Sequence, residues 1–389
     1  MKGEGMNVVS GARELRGVIE AHAGQGEAER QLAPEVVSAM REAGLFRMWV
    51  PEAFGGLGTG HREAYQVFEE ISAADGSAGW VLNQSVAVSA LSAMMGDGGE
   101  EIYADPDALF AGALWPPGTA TEVDGGFVIT NRNAFVSGVG FARWILTGAA
   151  VVRNGEPQTL PNGMPYLITA LVDPADAELV DTWRTMGMRA TGSNDAVITD
   201  VFVPAQRTVS LFDRPPLAAW ATHPLYTVPP WYGVQAHAAT PLGIARAALE
   251  KLLVLADTKV PAFFQQPIRT RSLVQSQAAE ASGHLEAAMG YLSDSMDQAL
   301  AAVQTGRYGP KDKARLQISG AHAGRAAHRA LDLVHQAVGT SGIRDEAGFE
   351  RLYRDGNTIT QHATLQSARF EDAGKILLGV ESEWFPFLL

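Results

Sequence analysis

The sequence WRTMGMRATGSNDAVITDVFVP, from Trp183 to Pro204, is the stretch around which the rest of the chain is interpreted. Its middle, Thr191–Asp195, is made of small polar residues and glycine, which allow a tight turn whose amides and hydroxyls stay free to donate. The alternation after the turn predicts a strand with these residues on one side: Val197, Thr199, Val201 and Val203. A polar loop at the rim of a sheet suits a planar cofactor with carbonyl and ring-nitrogen edges. An ordinary hairpin turn is the alternative interpretation.

The composition restricts the class of protein. The chain has 30 Lys and Arg against 43 Asp and Glu, a net charge of −13, which argues against nucleic acids and anionic membranes as partners because both attract clustered cations. It contains no cysteine, which excludes disulfides, thiolate zinc sites and cysteine nucleophiles. No apolar run reaches the ~18–20 residues that span a bilayer. Met1–Ser10 has no apolar signal-peptide core, so we expect a cytoplasmic protein.

The periodicity of apolar residues divides the chain into three parts. Helical spacing runs through residues 8–110, and from about Ala111 the period becomes two, with strands predicted over 127–130, 144–152, 166–173 and 196–203. After a proline-rich connector that includes Pro215 the helical spacing returns, as in the stripe Leu242, Ala245, Leu249, Leu252 and Leu253. At 389 residues the chain exceeds one ordinary core. We therefore predict a helical domain at 1–110, an all-β domain at 111–213 and a helical domain at 214–389.

The glycine cluster Gly55–Gly60 admits two interpretations. A nucleotide-binding loop would need a preceding strand and a strand–helix–strand context, whereas the pattern here predicts one helix, His61–Ala74, without that context. A tight turn between helices fits the surrounding sequence better.

Seven short segments, in order along the chain, resemble the signature blocks of the acyl-CoA dehydrogenase superfamily. They are Pro51–Gly56, Asp75–Trp80, Gly118–Ala120, Phe135–Gly138, Trp183–Pro204, Gln336–Gly342 and Arg354–Gly356. The resemblance covers nearly the whole chain. The residues in these segments are closer to those of the flavin-dependent monooxygenase branch than to those of the true dehydrogenases. It implies an α+β multidomain protein with an N-terminal helical domain, a central β-barrel domain and a C-terminal four-helix bundle.

The resemblance also assigns residues to a flavin. In the superfamily a Trp-x-Thr/Ser triplet places a hydroxyl against flavin N5, and the triplet here is Phe135-Val136-Ser137, with the aromatic residue changed and the hydroxyl kept. A hydroxyl at that position can accept or donate as the flavin changes redox state. The implied cofactor-binding residues of the two loops are Gly118, Thr119, Phe135 and Ser137 on one side and Thr191, Ser193 and Asn194 on the other.

The segment near the C-terminus distinguishes dehydrogenation from oxygenation. Counted from Arg354–Gly356, the glutamate that removes a substrate proton in the main dehydrogenase subgroup falls on Ala363, which has no proton chemistry. Ala238–Gly243, where other dehydrogenases supply the base, contains no carboxylate either. The neighbouring His362 fits the monooxygenase branch, which keeps a histidine near flavin C4a. With Ser137 it is the implied catalytic residue, assisting a C4a-hydroperoxide formed from reduced flavin and O2 to oxygenate a small-molecule substrate.

A third segment that resembles the superfamily concerns the flavin tail and the assembly. The segment containing Gln336, Gly339 and Thr340 keeps the spacing of a family turn that meets the dinucleotide tail of a flavin held by a neighbouring subunit, which implies a homotetramer. The family arginine for the FAD pyrophosphate falls on Pro261, with Arg269 or Arg271 as substitutes, so reduced FMN and reduced FAD both remain open. No nicotinamide fingerprint is present, so we expect a separate flavin reductase.

Two other functions remain open at this stage. One is a flavin dehydrogenase or oxidase that uses a different base, and the other is a scaffold that keeps the fold without catalysis. Metal binding is not predicted, because His322 and His328 do not share a helical face and no His-Glu-x-x-His pattern occurs. Five tryptophans are candidates for an aromatic pocket: Trp49, Trp80, Trp115, Trp220 and Trp231.

Overall fold

The computed structural model describes residues 7–213 and 216–389. The expectations for the first six residues, for Pro215 and for a domain boundary at 214 therefore lie outside the described residues. The N-terminal helices are α1 Val8–Glu14, α2 Arg16–Glu29, α3 Pro34–Glu42, α4 His61–Ala74, α5 Gly76–Ser92 and α6 Gly99–Ile102. The C-terminal helices are α7 Trp231–Ala256, α8 Ser272–Gln304, α9 Pro310–Val338, α10 Phe349–Ile359 and α11 Arg369–Leu377. No helix in the described ranges is both long and apolar enough to cross a membrane.

Within the described residues one sheet of eight strands lies between the two helical parts in the sequence. The strands are β1 Phe110–Val123, β2 Gly126–Asn133, β3 Trp144–Arg153, β4 Glu156–Pro157, β5 Leu167–Val172, β6 Ala177–Val180, β7 Asp195–Pro204 and β8 Thr208–Ser210. The order across the sheet is β6-β7-β2-β1-β3-β5-β8, with β4 on β3. The predicted arrangement of helices, sheet and helices is confirmed. The path runs from β6 to β8, and no pairing of those two end strands closes it among the described residues.

A β-bulge in β7 changes which side chains face the core. Ile129 pairs with Val201 while Asn131 pairs with Ile198, so two residues of β7 oppose the single Thr130 of β2. Asp200 has φ of 53°, and its backbone N–H donates to Thr130 Oγ1 at 3.0 Å. The prediction of one continuous face was therefore wrong. The buried or core-packed residues are Ala196 and Ile198 before the bulge and Val201 and Val203 after it.

The turn between the first helices is the tight turn that the sequence favoured. The glycine cluster follows a short 3-10 turn, Glu52–Phe54, and precedes α4, which has the predicted bounds. A Cβ on Gly56 would lie 1.7 Å from the carbonyl oxygen of Val50, so no larger residue fits there. The close approach explains this glycine without a nucleotide.

The two helical parts share one hydrophobic core. A single cluster of buried residues includes Phe68 of α4, Trp231 and Leu242 of α7 and Leu331 of α9, whereas the sheet buries two smaller clusters of its own. Helix α4 packs directly on α7, and α7, α8 and α9 pack on one another. The predicted stripe on α7 is buried except for Leu253, which is 55% exposed and on the outer side of the helix. The sheet is thus held against one continuous helical body.

Candidate active site

Helix α5 positions the side chain of Trp80 and is tied to α7 by a hydrogen bond. The carboxylate of Asp75 accepts the backbone N–H of Ala78 at 2.8 Å and so caps the first turn of the helix. Trp80 and Gln84 follow at a spacing of four, which places both on one face of α5. The side-chain amide of Asn83 donates to the carbonyl of Ala236 and ties α5 to α7. The N-terminus of α5 therefore fixes where the Trp80 indole lies.

Two loops at the rim of the sheet meet beside this indole. The N–H of Gly138 donates to the carbonyl of Thr191 at 2.8 Å, and the N–H of Val136 donates to the carbonyl of Asn194 at 3.2 Å. Gly138 has φ of 75°, and its missing Cβ would lie 2.8 Å from Val81 of α5. The quoted turn and the loop that contains Ser137 thus form one rigid unit against α5.

A chain of hydrogen bonds runs through the hydroxyls of this unit. The Trp80 Nε1 lies 3.0 Å from Ser137 Oγ, which lies 2.8 Å from Ser193 Oγ. Ser193 Oγ lies 2.6 Å from Thr191 Oγ1, which lies 2.8 Å from the carbonyl oxygen of Met188. The structure therefore brings together three predicted site residues, all of them buried.

The direction of this chain follows from its two ends. The carbonyl of Met188 can only accept, so Thr191 donates to it, Ser193 donates to Thr191 and Ser137 donates to Ser193. The indole N–H of Trp80 can only donate, so it fills one acceptor position of Ser137. Ser137 has thus committed its only proton and keeps one acceptor position.

A buried carboxylate of α10 supports the same loop, and a second buried carboxylate lies near it. Asp355 of α10 accepts the backbone N–H of Met188 at 2.5 Å. Burial, together with the nearby Asp75 carboxylate, raises the pKa of Asp355 to about 7, and burial also raises the pKa of Asp75. Met188 itself has φ of 54°, so this contact holds an uncommon backbone conformation in place.

His362 contacts the ring of the same Trp80 indole. Its imidazole is 4.9 Å from the Trp80 ring, edge to face, and 4.8 Å from the imidazole of His237 on α7. Nδ1 of His362 lies 2.9 Å from Thr364 Oγ1. Burial lowers the pKa of His362 to about 4. The half-buried imidazole is therefore neutral near pH 7, and its Nε2 makes no hydrogen bond within the described residues.

No carboxylate takes part in this cluster. Among the described residues, the side chains that stack on or hydrogen-bond His362 are those of Trp80, His237 and Thr364. None of these three is a carboxylate. Ala363 is exposed and adds only a methyl group. The described ranges also contain no group of three or more potential His, Asp or Glu ligands that could hold a metal. The geometry offers hydrogen bonding rather than removal of a substrate proton by a carboxylate.

The other predicted residues of the two loops are not part of this chain of hydroxyls. Phe135 is 68% exposed, with its ring 5.8 Å from that of Trp183. Gly118 and Thr119 lie on β1, where a Cβ on Gly118 would meet the carbonyl of Thr130 at 2.2 Å and Thr119 is exposed. The side-chain oxygen of Asn194 accepts the backbone N–H groups of Thr182 and Trp183 at 3.1 and 3.0 Å. That oxygen of Asn194 thus supports the loop.

The third predicted group lies elsewhere in the chain. Gln317 of α9 donates to the carbonyl of Thr364, and Gln336 lies nineteen residues further along the same helix, a distance of about 28 Å at 1.5 Å per residue. Gly339 and Thr340 follow it and are exposed. The structure therefore does not bring these three residues to His362 within one chain.

The sequence did not lead us to predict a lysine that contacts the turn containing this third group. Lys259 donates to the carbonyl of Val338 and, at 2.8 Å, to the hydroxyl of Ser341. The two arginines considered as substitutes lie on the surface nearby: Arg269 pairs with Asp257, and Arg271 lies over the ring of Phe264. Lys259 is the cation that contacts this turn directly, and its position two residues before Pro261 was the available signal.

The partners of His362 were also missed. His237 directly precedes the segment Ala238–Gly243, which was searched only for carboxylates, and Thr364 is two residues beyond His362. Of the five tryptophans proposed for a pocket, Trp80 contacts the predicted catalytic residues, whereas Trp49 and Trp231 are fully buried in the helical core.

Comparison with known proteins identifies the family of this chain. Residues 10–102 match the family model of the acyl-CoA dehydrogenase N-terminal domain, and residues 235–367 match that of the C-terminal domain. The chain is 32% identical over 362 residues to the indole-3-acetate monooxygenase of Pseudomonas putida, covering 92% of this chain and 90% of the relative. The chain belongs to the acyl-CoA dehydrogenase family, in its branch of flavin-dependent monooxygenases.

Two further relatives carry information about the cofactor and the system. The flavin-dependent monooxygenase oxygenase subunit HsaA of Rhodococcus jostii (strain RHA1) is 26% identical, over 89% of this chain and 91% of its own length. The structure of XiaF from Streptomyces sp., in complex with FADH2 and glycerol, superposes with a TM-score of 0.84 at 25% identity, covering 97% of this chain and 96% of that one. The sequence prediction of the family is thereby confirmed.

The residues present fit a reduced flavin. Ser137 keeps one acceptor position, and reduced flavin carries a proton on N5, whereas oxidised flavin has none there. Nε2 of His362 is without a hydrogen bond within the described residues, and Phe135 leaves an aromatic ring exposed beside the same loops. These groups form an edge with free hydrogen-bonding positions next to an apolar surface, which is what a planar heterocycle requires.

Proposed function

We propose that this protein is the oxygenase component of a two-component flavin-dependent monooxygenase. Bound reduced flavin supplies two electrons to O2, so that one oxygen atom enters a small organic substrate and the other leaves as water. A separate flavin reductase provides the reduced flavin. The proposal includes a cytoplasmic location and the three domains at 1–110, 111–213 and 214–389.

One observation carries the proposal: toward a bound flavin, the hydroxyl of Ser137 can only accept a hydrogen bond. Its proton is committed to Ser193, and its remaining position accepts. A hydrogen-bond acceptor at this position stabilises a flavin that carries a proton on N5. In oxidised flavin N5 carries a lone pair instead, and the acceptor repels it. The site therefore favours the reduced form as the form that binds, which is the form that a monooxygenase needs and a dehydrogenase receives only after turnover.

His362 and Trp80 complete the roles of the chain's own residues. The neutral imidazole of His362 can hydrogen-bond an oxygen atom without releasing a proton to it, because neutral imidazole is a much weaker acid than imidazolium. Trp80 covers one side of that imidazole and holds Ser137 through its N–H. Trp80 is itself only 5% exposed, so it shields this side of the imidazole from water.

An aromatic substrate fits the side chains beside this site. The rings of Trp80, His237 and His362 meet at centroid distances of 4.8–5.0 Å, and Gln84 adds a neutral amide. Such a wall favours stacking with a planar ring and offers no fixed charge. Because the relative of 32% identity acts on indole-3-acetate, that compound and other indoles are the first candidates, followed by phenols, polycyclic aromatics and amines.

The position of Gln336 supports a homotetramer within the same proposal. Gln336, Gly339 and Thr340 are exposed and lie far from His362 of their own chain. A flavin with a long tail could meet them only if another copy supplied the turn. The exposed aromatic residues Phe263 and Phe264, 105% and 54% accessible, lie close to the anchoring Lys259 in sequence and would be covered by such a copy.

A pair of measurements tests the function. Anaerobic titrations with oxidised and reduced FMN and FAD should show tight binding of a reduced form only. Mixing the reduced complex with 18O2 and an indole should then place one 18O atom in the product. Bleaching of oxidised flavin by substrate without oxygen would instead establish a dehydrogenase or oxidase, and failure of every flavin form to bind would leave a scaffold without catalysis.

A further inference from the structure

The second histidine of the cluster, His237, has so far been assigned only to the aromatic wall beside the site. It lies on α7, with its imidazole 4.8 Å from that of His362 and 5.0 Å from the indole of Trp80. Nδ1 of His237 lies 3.4 Å from Thr364 Oγ1, and Nε2 lies 2.9 Å from the side-chain nitrogen of Gln84. Both ring nitrogens of His237 are thus engaged within the protein.

Thr364 determines which nitrogen of His362 carries the proton. The Thr364 hydroxyl lies 2.9 Å from Nδ1 of His362, and the backbone N–H of the same threonine is directed at the same nitrogen from 3.4 Å. A backbone N–H can only donate, so Nδ1 of His362 accepts. The hydroxyl then donates to Nδ1 as well, and the proton of the neutral ring lies on Nε2.

The rest of the chain follows from that assignment. Since the Thr364 hydroxyl has one proton and gives it to His362, it accepts from Nδ1–H of His237. Nε2 of His237 is then unprotonated and accepts from the Gln84 amide. The hydrogen bonds run in one direction, from Gln84 through His237 and Thr364 to His362, and they join α5, α7 and the segment after α10.

We propose that Gln84, His237 and Thr364 are positioning residues that hold His362 as the neutral tautomer with its proton on Nε2. Nε2 is the atom of His362 that has no partner among the described residues, so the chain delivers a donor to the open side of the site. Burial lowers the pKa of both histidines, and the nearby His362 lowers that of His237 further, so two uncharged rings are the state that this environment favours.

The consequence of this arrangement is a fixed donor rather than a mobile acid. A ring held as Nε2–H hydrogen-bonds a substrate or oxygen acceptor in the same direction at every turnover. The other tautomer would turn a lone pair toward the same position and repel it. The catalytic meaning of the chain rests on the function proposed above, but the tautomer itself does not.

Nitrogen-15 spectra of the flavin-free protein, labelled at histidine, test the tautomer. The His362 signals are assigned by their loss in His362→Ala, and the chemical shifts of Nδ1 and Nε2 distinguish protonated from bare nitrogen. We expect the Nε2–H form in the native chain and a shift of about fivefold in the tautomer ratio in Thr364→Val, the change that one ordinary hydrogen bond produces. Thr364→Ser, which restores the hydroxyl, should restore the native ratio.

The control is Thr360→Val, which removes a half-buried hydroxyl bonded to the carbonyl of Asn357 in the preceding turn. It should leave the His362 signals unchanged. A native His362 protonated on Nδ1, or a ratio that Thr364→Val does not move, would overturn the proposal.

A second readout separates this proposal from the proposed function. With reduced flavin and O2, Thr364→Val should raise the share of electrons lost as hydrogen peroxide at least threefold, while Thr364→Ser and Thr360→Val should not. If no substrate is oxygenated by the native protein, the proposed function fails, and the spectra still decide the tautomer.

Discussion

The indole of Trp80 contacts both predicted catalytic residues: its N–H donates to Ser137 Oγ at 3.0 Å, and its ring lies 4.9 Å from the imidazole of His362. One side chain of α5 therefore sets the separation between a hydrogen-bond acceptor on the sheet and a hydrogen-bond donor near the C-terminus. The capping contact of Asp75 fixes the helix that carries it. The site depends on a residue that does no chemistry itself.

Replacement of Trp80 by Phe should weaken binding of reduced flavin. The ring contact with His362 survives, but Ser137 loses the donor that fixes its orientation, so we expect about a fivefold loss of affinity, the equivalent of one hydrogen bond to the flavin. Anaerobic titration with reduced flavin measures the change. Trp220→Phe, in a ring cluster with Phe54 and Tyr103, is the matched control and should bind as the native protein does. Equal affinity of Trp80→Phe and the native protein would show that the indole N–H does not matter.

The variant Ser193→Ala should reduce the discrimination between the two flavin redox forms. Without Ser193 to accept it, the Ser137 proton is free to donate to N5 of oxidised flavin. We expect the ratio of the two dissociation constants to fall about tenfold, which corresponds to roughly 1.4 kcal/mol. Ser295→Ala removes a different hydroxyl, bonded to the carbonyl of Tyr291, and should leave the ratio unaltered. An unchanged ratio in Ser193→Ala would remove the argument for Ser137 as a fixed acceptor.

His362→Ala should uncouple the reaction. Oxygen consumption continues because reduced flavin reacts with O2 by itself, but the donor that assists transfer is lost, so hydrogen peroxide replaces most of the product. Parallel measurement of peroxide and product gives the coupling ratio. His328→Ala on α9, an exposed histidine, is the control. Retained coupling in His362→Ala would assign oxygen transfer to another residue.

Stability should depend on pH through Asp355. Because its pKa in the folded protein is raised to about 7, the folded state holds a proton that the unfolded chain has lost above about pH 4. This contribution to stability is present in full below the unfolded pKa and is lost as the pH rises through about 7. In Asp355→Asn, which keeps an acceptor for Met188, the decrease in melting temperature from pH 5 to pH 8 should therefore be smaller.

The control for that measurement is Asp124→Asn, an exposed carboxylate in the turn between β1 and β2. It should show the same pH dependence as the native protein. If Asp355→Asn also follows the native curve, the buried carboxylate does not hold a proton near neutral pH.

Gln336→Ala should separate the two candidate flavins. If another copy's turn contacts the dinucleotide tail, the variant loses affinity for reduced FAD and keeps its affinity for reduced FMN, which has no such tail. Titrations with both flavins give the comparison, with Gln275→Ala as an exposed glutamine on α8 that should change neither. A loss of equal size for FMN and FAD would place Gln336 elsewhere than at the tail.

The parts that the sequence predicted are those with local signals. The helix His61–Ala74, the hairpin at Asp124-Gly125 and the hydroxyl of Ser137 each depend on a few neighbouring residues, and the structure contains the helix and the hairpin as expected. The face of β7 was wrong because its bulge is held by Thr130, seventy residues away. A bulge fixed by a distant partner leaves no trace in the alternation of one strand.

The supporting residues of His362 illustrate the same limit. Gln84 and His237 are 153 residues apart, and His237 and Thr364 are 127 residues apart. The packing of α5 on α7 brings Gln84 to His237, and the segment after α10 adds Thr364. A lone histidine in an alanine-rich helix has no local feature that distinguishes it from one in the core, so sequence reasoning had no physical basis on which to select it.

The core shared by the two helical parts has a consequence for biosynthesis. Helix α4 leaves the ribosome long before α7, the helix against which it packs, and the whole sheet is made in between. Until then the side of α4 that packs on α7 lacks its native cover, although α1, α2 and α5 already contact other sides of the helix. The side of α4 that α7 covers thus stays open while residues 75–230 are made, and a fragment truncated after the sheet would lack that cover.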